Sequence, residues 1–326
     1  MIKWWKIVLF VWIGVFSALG IMTPIAGGLS DLAIFAEVGD TRLIPVAMKI
    51  ADHDLTEQED GTFLVAGEDK YGDDAMFVLP EKPAGFSEAE GYLLDARYDK
   101  ENHRVVAAEI LGDYPGWSFP YIPGLGERAK IIFFHVPMSW MTVIAFLVSM
   151  WFGIKYLRKK NLIDDAKSAY AAGLGLLFCI LATVTGSVWA QFNWGTFWNW
   201  DPRETSIFVL LLIYGAYFTL RSAIEVDEKR ARLSAVYSIL AFVTVPFFIF
   251  IMPRILPGLH PGSADDVNAG PVVSSGGMDA GMRVILYSML LGCIVLFGWL
   301  MSIQMRVFRI TQKQEADDIA AAEAIS

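Results

Sequence analysis

Six long apolar segments, separated by polar stretches, dominate the pattern of the chain. Most of them approach the roughly 20 residues that a helix needs to cross a bilayer. A helix pairs its own backbone groups, so it is the expected spanning structure in lipid. The pattern therefore predicts six membrane spans. They cover residues 7–26, 131–152, 168–190, 205–220, 233–252 and 284–303.

The first apolar run follows Lys3 and Lys6, as the core of a secretory signal peptide also would. The run is longer than a signal core of roughly 7–15 residues, and no clear small-x-small cleavage site follows it directly. We therefore favour an uncleaved anchor over a signal peptide.

The basic residues are distributed unevenly between the two sides of this arrangement. Fourteen Lys and Arg lie in the N-terminus, the second-to-third and fourth-to-fifth connections and the tail. The two short opposite connections hold only Arg203, Arg254 and Arg283. Because Lys and Arg concentrate on the cytoplasmic side, we expect both termini in the cytoplasm of a bacterial inner membrane. Residues 27–130, 189–203 and 253–283 would then face outward.

The segment between the first two spans reads as a separate unit. Residues 31–127 contain 21 acidic and 7 basic residues. Strand-like runs at 62–66, 75–79, 91–96 and 105–111 are separated by turn residues such as those at 99–102. The expected fold class is an all-α polytopic membrane protein with six helices and a small β-rich extracytoplasmic domain inserted after the first. We expect residues 1–30 to hold the first membrane helix and residues 31–127 to form the inserted domain. Residues 128–310 would form a five-helix membrane core, and residues 311–326 a cytoplasmic tail.

Composition excludes several classes of protein. Hydrophobic residues make up 55% and charged residues 19%, so a disordered chain is excluded and a soluble globule is disfavoured. The net charge of −9 argues against nucleic acid as a partner. The two cysteines, Cys179 and Cys293, lie in apolar runs and form no Cys-x-x-Cys pair, so no disulfide framework and no site for covalent attachment of c-type haem is readable.

The connection after the third span is unusually aromatic. Six large rings fall within twelve residues: Trp189, Phe192, Trp194, Phe197, Trp198 and Trp200. An aromatic belt at the bilayer interface explains one or two of them. A flat apolar platform for a large planar ligand explains the density of the cluster better, because tryptophan offers a wide, rigid surface at low entropic cost.

The fourth span has a clear start signal beside this loop. Asp201 suits the N-cap, Pro202 the first helical position and Glu204 the third, which together predict a capping box. Asp201 is accordingly expected to hold the loop rather than to touch a ligand directly. Arg203 either meets an anionic edge of the ligand or extends towards lipid headgroups, and the sequence does not decide between these.

Two of the four histidines stand near the outer ends of predicted spans. His135 lies at the start of the second span, two residues before Pro137, and His260 follows the fifth. An ionisable residue at membrane depth indicates function. Taken alone, each could equally be a satisfied interfacial histidine, but together they could supply both axial ligands of a haem iron. His53 and His103 lie among charged residues and are expected to be solvated.

The tryptophan-rich loop resembles a known signature. The segment Trp194-Gly-Thr-Phe-Trp-Asn-Trp-Asp-Pro-Arg-Glu-Thr-Ser206 is similar to the "WWD" motif of haem-handling proteins. Within them it looks most like the cytochrome c maturation protein C family of haem exporters. The segment from Leu259 to Ser263 and the six-span plan also resemble that family. Phe197 stands where a Trp is common there, and the 31–127 insert has no counterpart in typical members.

The resemblance implies a binder rather than an enzyme. It implies haem b held between His135 and His260, with its ring against Trp194, Trp198 and Trp200, and delivery to a periplasmic haem chaperone. The implied partners are an ATP-binding-cassette pair and a small membrane subunit. This chain has no phosphate-binding Gly-x-x-x-x-Gly-Lys-Ser/Thr loop, so it is not itself the ATPase. The insert is expected to dock or shield rather than to be a fused chaperone, because neither His53 nor His103 is followed four residues later by Tyr.

Three other functions remain open from sequence alone. A haem lyase of the same superfamily would attach haem to Cys-x-x-Cys-His sequences, although such proteins generally have more spans. A b-type cytochrome subunit would carry electrons, although it usually places its ligand histidines deep on facing helices. A transporter that binds no haem is the third alternative.

Overall fold

The computed structural model describes residues 4–260, 263–264 and 278–325. These residues fall into two compact units. The first holds the described residues of Met1–Ala18, Lys130–Ser274 and Arg283–Ser326. The second holds those of Leu19–Ala129 and Ser275–Met282.

Six helices of the described residues are long and apolar enough to cross a membrane, which confirms the number predicted from the sequence. The fifth continues beyond Pro246 through a π-helical segment, Phe247–Ile251, into a short helix. The helices are α1 (Trp4–Met22), α3 (Ile132–Lys159), α4 (Leu162–Trp194), α5 (Pro202–Ser222), α6 (Asp227–Pro246) with its extension α7 (Met252–Ile255), and α8 (Ala280–Ile325). The chain is a multi-pass membrane protein.

Small residues let the membrane helices approach closely. A Cβ atom added to Gly175 on α4 would lie 2.5 Å from the ring of Phe146 on α3. One added to Gly153 on α3 would lie 2.6 Å from the hydroxyl of Ser238 on α6. In lipid, close backbone contact and packing take over the role that the hydrophobic effect has in water. These two glycines therefore hold α3 against its neighbours.

A buried ion pair joins α4 to α5. The guanidinium of Arg221 contacts both carboxylate oxygens of Asp165 at 2.7 and 2.9 Å. The side chains are only 14% and 8% exposed, respectively. A two-point contact of this kind satisfies both charges and fixes the orientation of the two helices.

The second unit contains a short helix and eight strands. The helix is α2 (Leu29–Glu37), and the strands are β1 (Ile25–Ala26), β2 (Ile44–Ile50), β3 (Thr56–Glu57), β4 (Phe63–Asp69), β5 (Asp74–Leu79), β6 (Gly91–Asp99), β7 (Arg104–Asp113) and β8 (Phe119–Pro120). The pairing runs β2-β6-β7-β5-β4 and returns from β4 to β2, so five strands close a barrel. Only the β5–β7 pair in this barrel is parallel. The side chains that face inward form a dry core, including Val46, Phe77 and Leu94.

The all-α class expected from the sequence is therefore wrong. The chain also contains a closed five-stranded barrel with its own hydrophobic core, so it is a mixed α and β protein. Apolar spans dominate a hydropathy pattern because each is about 20 residues long. Strands of six to ten residues with alternating burial weigh far less in that pattern.

Most strands of the barrel could be recognised from local patterns in the sequence. The four predicted runs correspond to β4, β5, β6 and β7, and the predicted turn at 99–102 joins the last two. The prediction missed β2, where Pro45 suggests a break. It also carried the first span to residue 26, whereas α1 ends at Met22 because Pro24 disfavours helix at the preceding residue. Ile25 and Ala26 instead pair with β8.

The buried ion pair gives a testable difference in stability. Replacing Arg221 with Gln should lower the free energy of unfolding by about 3–5 kcal/mol, because the Asp165 carboxylate is left buried without its cation. Arg230→Gln is the matched control, since its partner Asp227 is 62% exposed, and it should cost less than about 1 kcal/mol. Denaturant unfolding of the full chain in detergent measures both values. Equal losses in the two variants would contradict the assignment.

Candidate functional site

His135 lies in the first turn of α3 and faces α4. Its Nδ1 is 3.1 Å from the hydroxyl oxygen of Thr185. That hydroxyl donates its own proton to the carbonyl of Leu181 at 2.8 Å. It can therefore accept from a protonated Nδ1 of His135, which would leave the lone pair of Nε2 for a ligand. A histidine fixed in this tautomer is ready to bind a metal through Nε2.

A glycine on α4 makes room for this ring. A Cβ atom on Gly186 would stand 3.0 Å from His135 Cε1 and 3.4 Å from Nδ1. Any larger residue there would push the imidazole away from α4. On the other side, the hydroxyl of Ser139 donates to the carbonyl of His135 at 3.1 Å. This bond lies next to Pro137, where the helix lacks a backbone donor.

His260 is held by a buried carboxylate. Its Nδ1 is 2.7 Å from Oδ1 of Asp201, and the Asp201 side chain is fully shielded from solvent. An ionised carboxylate only accepts, so Nδ1 donates to it, and Nε2 is the ring nitrogen that remains for a ligand. Burial alone would raise the pKa of Asp201, but the hydrogen bonds from His260 and from the backbone N–H groups of Arg203 and Leu259 lower it to about 2.

Asp201 also starts α5, as the sequence predicts. Its Oδ1 accepts from the N–H of Arg203 at 2.9 Å, and Glu204 closes the capping box. Its Oδ2 accepts from the N–H of Leu259 at 2.7 Å. A Cβ atom on Gly258 would lie 2.6 Å from that oxygen, so the loop must be glycine at this point. One carboxylate thus joins the aromatic loop, α5 and the loop that carries His260.

The aromatic residues of the loop form two groups of ring contacts. Trp194 meets the His260 ring nearly at a right angle, with centroids 4.7 Å apart, and Trp189 lies 5.6 Å from the same ring. In the second group, Trp198, Trp200 and Phe208 pack edge to face. The first group therefore holds the imidazole of His260. The second group is built from ring contacts among its own members.

Trp200 has an unusual backbone. Its φ is +55°, in the left-handed region that a bulky side chain rarely adopts. The hydroxyl of Thr205 donates to its carbonyl, and Glu204 accepts from the N–H of Asn199 on one side and Asp201 on the other. The indole is nevertheless 66% exposed, and Phe197 is 59% exposed. Large exposed rings on a constrained backbone are typical of a binding surface.

Two arginines lie close together at this end of the membrane unit. Arg203 is half-buried in the first turn of α5, and its guanidinium is near enough to Arg254 on α7 to interact with it electrostatically. Arg254 donates to the carbonyl of Phe250 at 2.7 Å. Two neighbouring cations beside a helix N-terminus favour an anionic ligand. The sequence alone indicated Arg203 for this role and Arg254 only for the orientation of the chain.

The two histidines contact α4 at points that are about one helical turn apart. Thr185 and Gly186, which contact His135, precede Trp189, which contacts His260, by about one turn, or roughly 6 Å along the axis. The two imidazoles are also close enough to interact electrostatically. A donor set of two imidazoles, each hydrogen-bonded through Nδ1, fits a haem iron. In the part of the chain that is described, no group of three or more His, Cys, Asp or Glu offers an alternative metal site.

The other two histidines belong to the second unit. His53 is exposed in the barrel unit, with Nε2 3.2 Å from the carbonyl of Ala89. His103 occupies the turn after β6, with φ +53° and its Nδ1 3.5 Å from the hydroxyl of Tyr98. Pro261 and Gly262 of the segment Leu259–Ser263 lie outside the described residues.

Sequence reasoning missed the residues that orient the two ligands. Thr185 and Gly186 are ordinary residues of an apolar helix, and only the packing against His135 gives them a role. The contact between Asp201 and His260 spans 59 positions, so no local pattern indicates it. The sequence did show that Asp201 occupies a helix-cap position. This pattern located the carboxylate but did not indicate its contact with His260.

Comparison with known proteins covers most of the membrane unit, but not α1. The family model described as CcmC, heme exporter protein C, matches residues 115–320, which leaves the barrel strands β2–β7 outside the match. Heme exporter protein C of Paracoccus denitrificans is 31% identical over 202 residues, covering 62% of this chain and 82% of that protein.

Two further relatives agree with this match. Heme exporter protein C of Rhodobacter capsulatus is 32% identical over 164 residues, which is 49% of this chain and 68% of the relative. Heme exporter protein C of Escherichia coli K12 is 32% identical over 141 residues, with 40% and 54% of the two chains covered. The matched region contains every residue of the two-histidine site, and the chain belongs to the CcmC family of heme exporter proteins.

Proposed function

We propose that this chain binds haem b between His135 and His260 at the outer face of the membrane and delivers it to a periplasmic haem chaperone. As a member of the CcmC family, the chain is a haem-handling membrane component of cytochrome c maturation and not an enzyme. The observation that carries the proposal is the pair of imidazoles at one end of the bundle, each hydrogen-bonded through Nδ1 with Nε2 left for iron.

The surroundings of the two histidines suit the rest of a haem molecule. Haem is a flat apolar disc with two propionates at one edge. The exposed rings of Trp200 and Phe197 offer an apolar surface beside the site. Arg203 and Arg254 would meet the propionates. Among the described residues, the buried indole N–H of Trp189 lacks a hydrogen-bond partner, and a ligand carboxylate would satisfy it.

The partners and the orientation belong to this proposal. An ATP-binding-cassette pair would supply the energy of ATP hydrolysis. A small membrane subunit would complete the complex. The excess of Lys and Arg at the opposite connections supports cytoplasmic termini and an outward-facing haem site.

The first prediction concerns the ligands. His135→Ala and His260→Ala should each change the haem absorption spectrum of the purified chain, because each removes one axial ligand. His53→Ala and His103→Ala are matched controls on the barrel and should leave the Soret band of the wild type in place. Unchanged spectra in both ligand variants would contradict the assignment. Thioether formation on an added apocytochrome would instead support a haem lyase.

The second prediction concerns the space beside His135. Gly186→Ala should weaken haem binding by roughly tenfold or more, because the new Cβ meets the imidazole at 3.0 Å and displaces a ligand. Gly173→Ala on the same helix is the matched control, since its Cβ would meet Phe218 at an ordinary 3.6 Å. Haem titration monitored by absorbance measures both affinities. An equal affinity in the two variants would show that Gly186 does not position the ring.

The third prediction concerns orientation. Asp60→Cys on the barrel and Lys159→Cys at the end of α3 are both at exposed positions, whereas the native Cys179 and Cys293 are buried. A membrane-impermeant maleimide should label the first variant in intact spheroplasts and the second only after lysis. The reverse pattern of labelling would overturn the proposed orientation of the whole bundle.

A further inference from the structure

The two haem ligands of the proposed function differ in what holds them. His260 donates from Nδ1 to a carboxylate at 2.7 Å, and that side chain is completely buried. His135 meets neutral oxygen atoms, namely the Thr185 hydroxyl at 3.1 Å and the carbonyl of Ala182. A hydrogen bond to an ionised acceptor is roughly twice as strong as one between neutral groups.

This difference changes the strength of the bond that each ring can make to iron. A carboxylate that accepts from Nδ1 draws the proton towards itself and leaves the imidazole with partial anionic character, which makes Nε2 a stronger donor. A hydroxyl cannot do this to the same degree. The hydroxyl of Thr185 is in addition engaged as a donor to Leu181, so it is a fixed and neutral acceptor.

The packing around the two rings also differs, and it holds the His260 ring more firmly than the His135 ring. Trp194 and Trp189 lie 4.7 and 5.6 Å from the His260 ring, and the loop carbonyl of His260 accepts from the hydroxyl of Ser263 at 2.7 Å. The His135 ring instead lies over Gly186, which offers it no side chain. The His260 imidazole is therefore oriented by a carboxylate and two indoles, and the His135 imidazole by neutral oxygens and helix backbone.

We propose that the two ligands are unequal: His260 is the ligand retained on the haem iron, and His135 is the ligand that is exchanged when haem is passed on. This inference rests on the proposed function. Asp201 and Thr185 are positioning residues that set the inequality. Loss of the iron–His135 bond opens one face of the haem to a donor from the acceptor protein, while His260 keeps the haem in place until the new bond has formed.

Rates of haem loss test the inequality on the full chain in detergent. After loading with haem, each variant is mixed with excess apomyoglobin, and transfer is followed by absorbance. We expect His260→Ala to lose haem at least about ten times faster than His135→Ala. Adding Asp201→Asn to His135→Ala should speed the loss by about 10–100-fold, the usual effect of removing a partner of a metal ligand. Adding it to His260→Ala should change the rate by less than about threefold, because its effect passes through His260.

Matched controls separate this effect from a general loss of structure. Asn161→Ala removes the side-chain cap at the opposite end of α4, where Asn161 Oδ1 accepts from the N–H of Ile163. Thr183→Val removes a hydroxyl of the same helix that bonds only to the backbone carbonyl of Cys179 in the described structure. Both should leave the rate of haem loss at the wild-type value. Thr185→Val should speed it by a smaller factor than Asp201→Asn.

A vibrational signature gives a readout that a purely structural role would not move. In ferrous His135→Ala, whose haem keeps a single histidine ligand, the iron–histidine stretching frequency should fall when Asp201 is replaced with Asn. Equal rates for His135→Ala and His260→Ala, or an unshifted frequency, would overturn the inequality while haem binding itself stood. A wild-type chain with no Soret band after haem addition would overturn the proposed function and, with it, this inference.

Discussion

The site depends on one buried carboxylate. Asp201 accepts the first free N–H of α5, the N–H of Leu259 and the imidazole N–H of His260. One of these donors comes from the first turn of α5, and the other two come from the loop after α7, which is far away in sequence. Because the carboxylate has no exposed surface, each bond is made away from competing water. The position of His260 therefore follows from the way in which α5 begins.

The second histidine reaches the site by a different route. His135 is carried by a helix whose close packing against α4 is permitted by glycines, at Gly175 in the middle of the span and at Gly186 beside the ring. The regular geometry of a helix, and not a loop, sets the distance of His135 from α4. The two halves of the site are thus independent in their construction, one fixed by helix packing and the other by a charge-assisted hydrogen bond.

Much of the membrane unit could be predicted from the sequence, because the bilayer imposes a length and a hydropathy on each span. The cap at Asp201 was also readable, since a capping box is a local pattern. The closed barrel was not, because closure depends on the long-range pairing of β2 with β4 and β6. For the same reason, the roles of Thr185 and Gly186 and the contact between Asp201 and His260 could be recognised only from the structure. Strands β2–β7 lie outside the residues that match the CcmC family, and a docking or shielding role for the barrel stays a prediction.

We propose that two imidazoles, one from α3 and one from the loop after α7, coordinate one haem iron. The most direct measurement is the electron paramagnetic resonance spectrum of the ferric, haem-loaded full chain in detergent. Two nitrogen ligands impose a strong axial field, so the account predicts a low-spin spectrum of the bis-imidazole type. A high-spin spectrum in the wild-type chain, or a low-spin spectrum unchanged when both His135 and His260 are replaced with Ala, would contradict it.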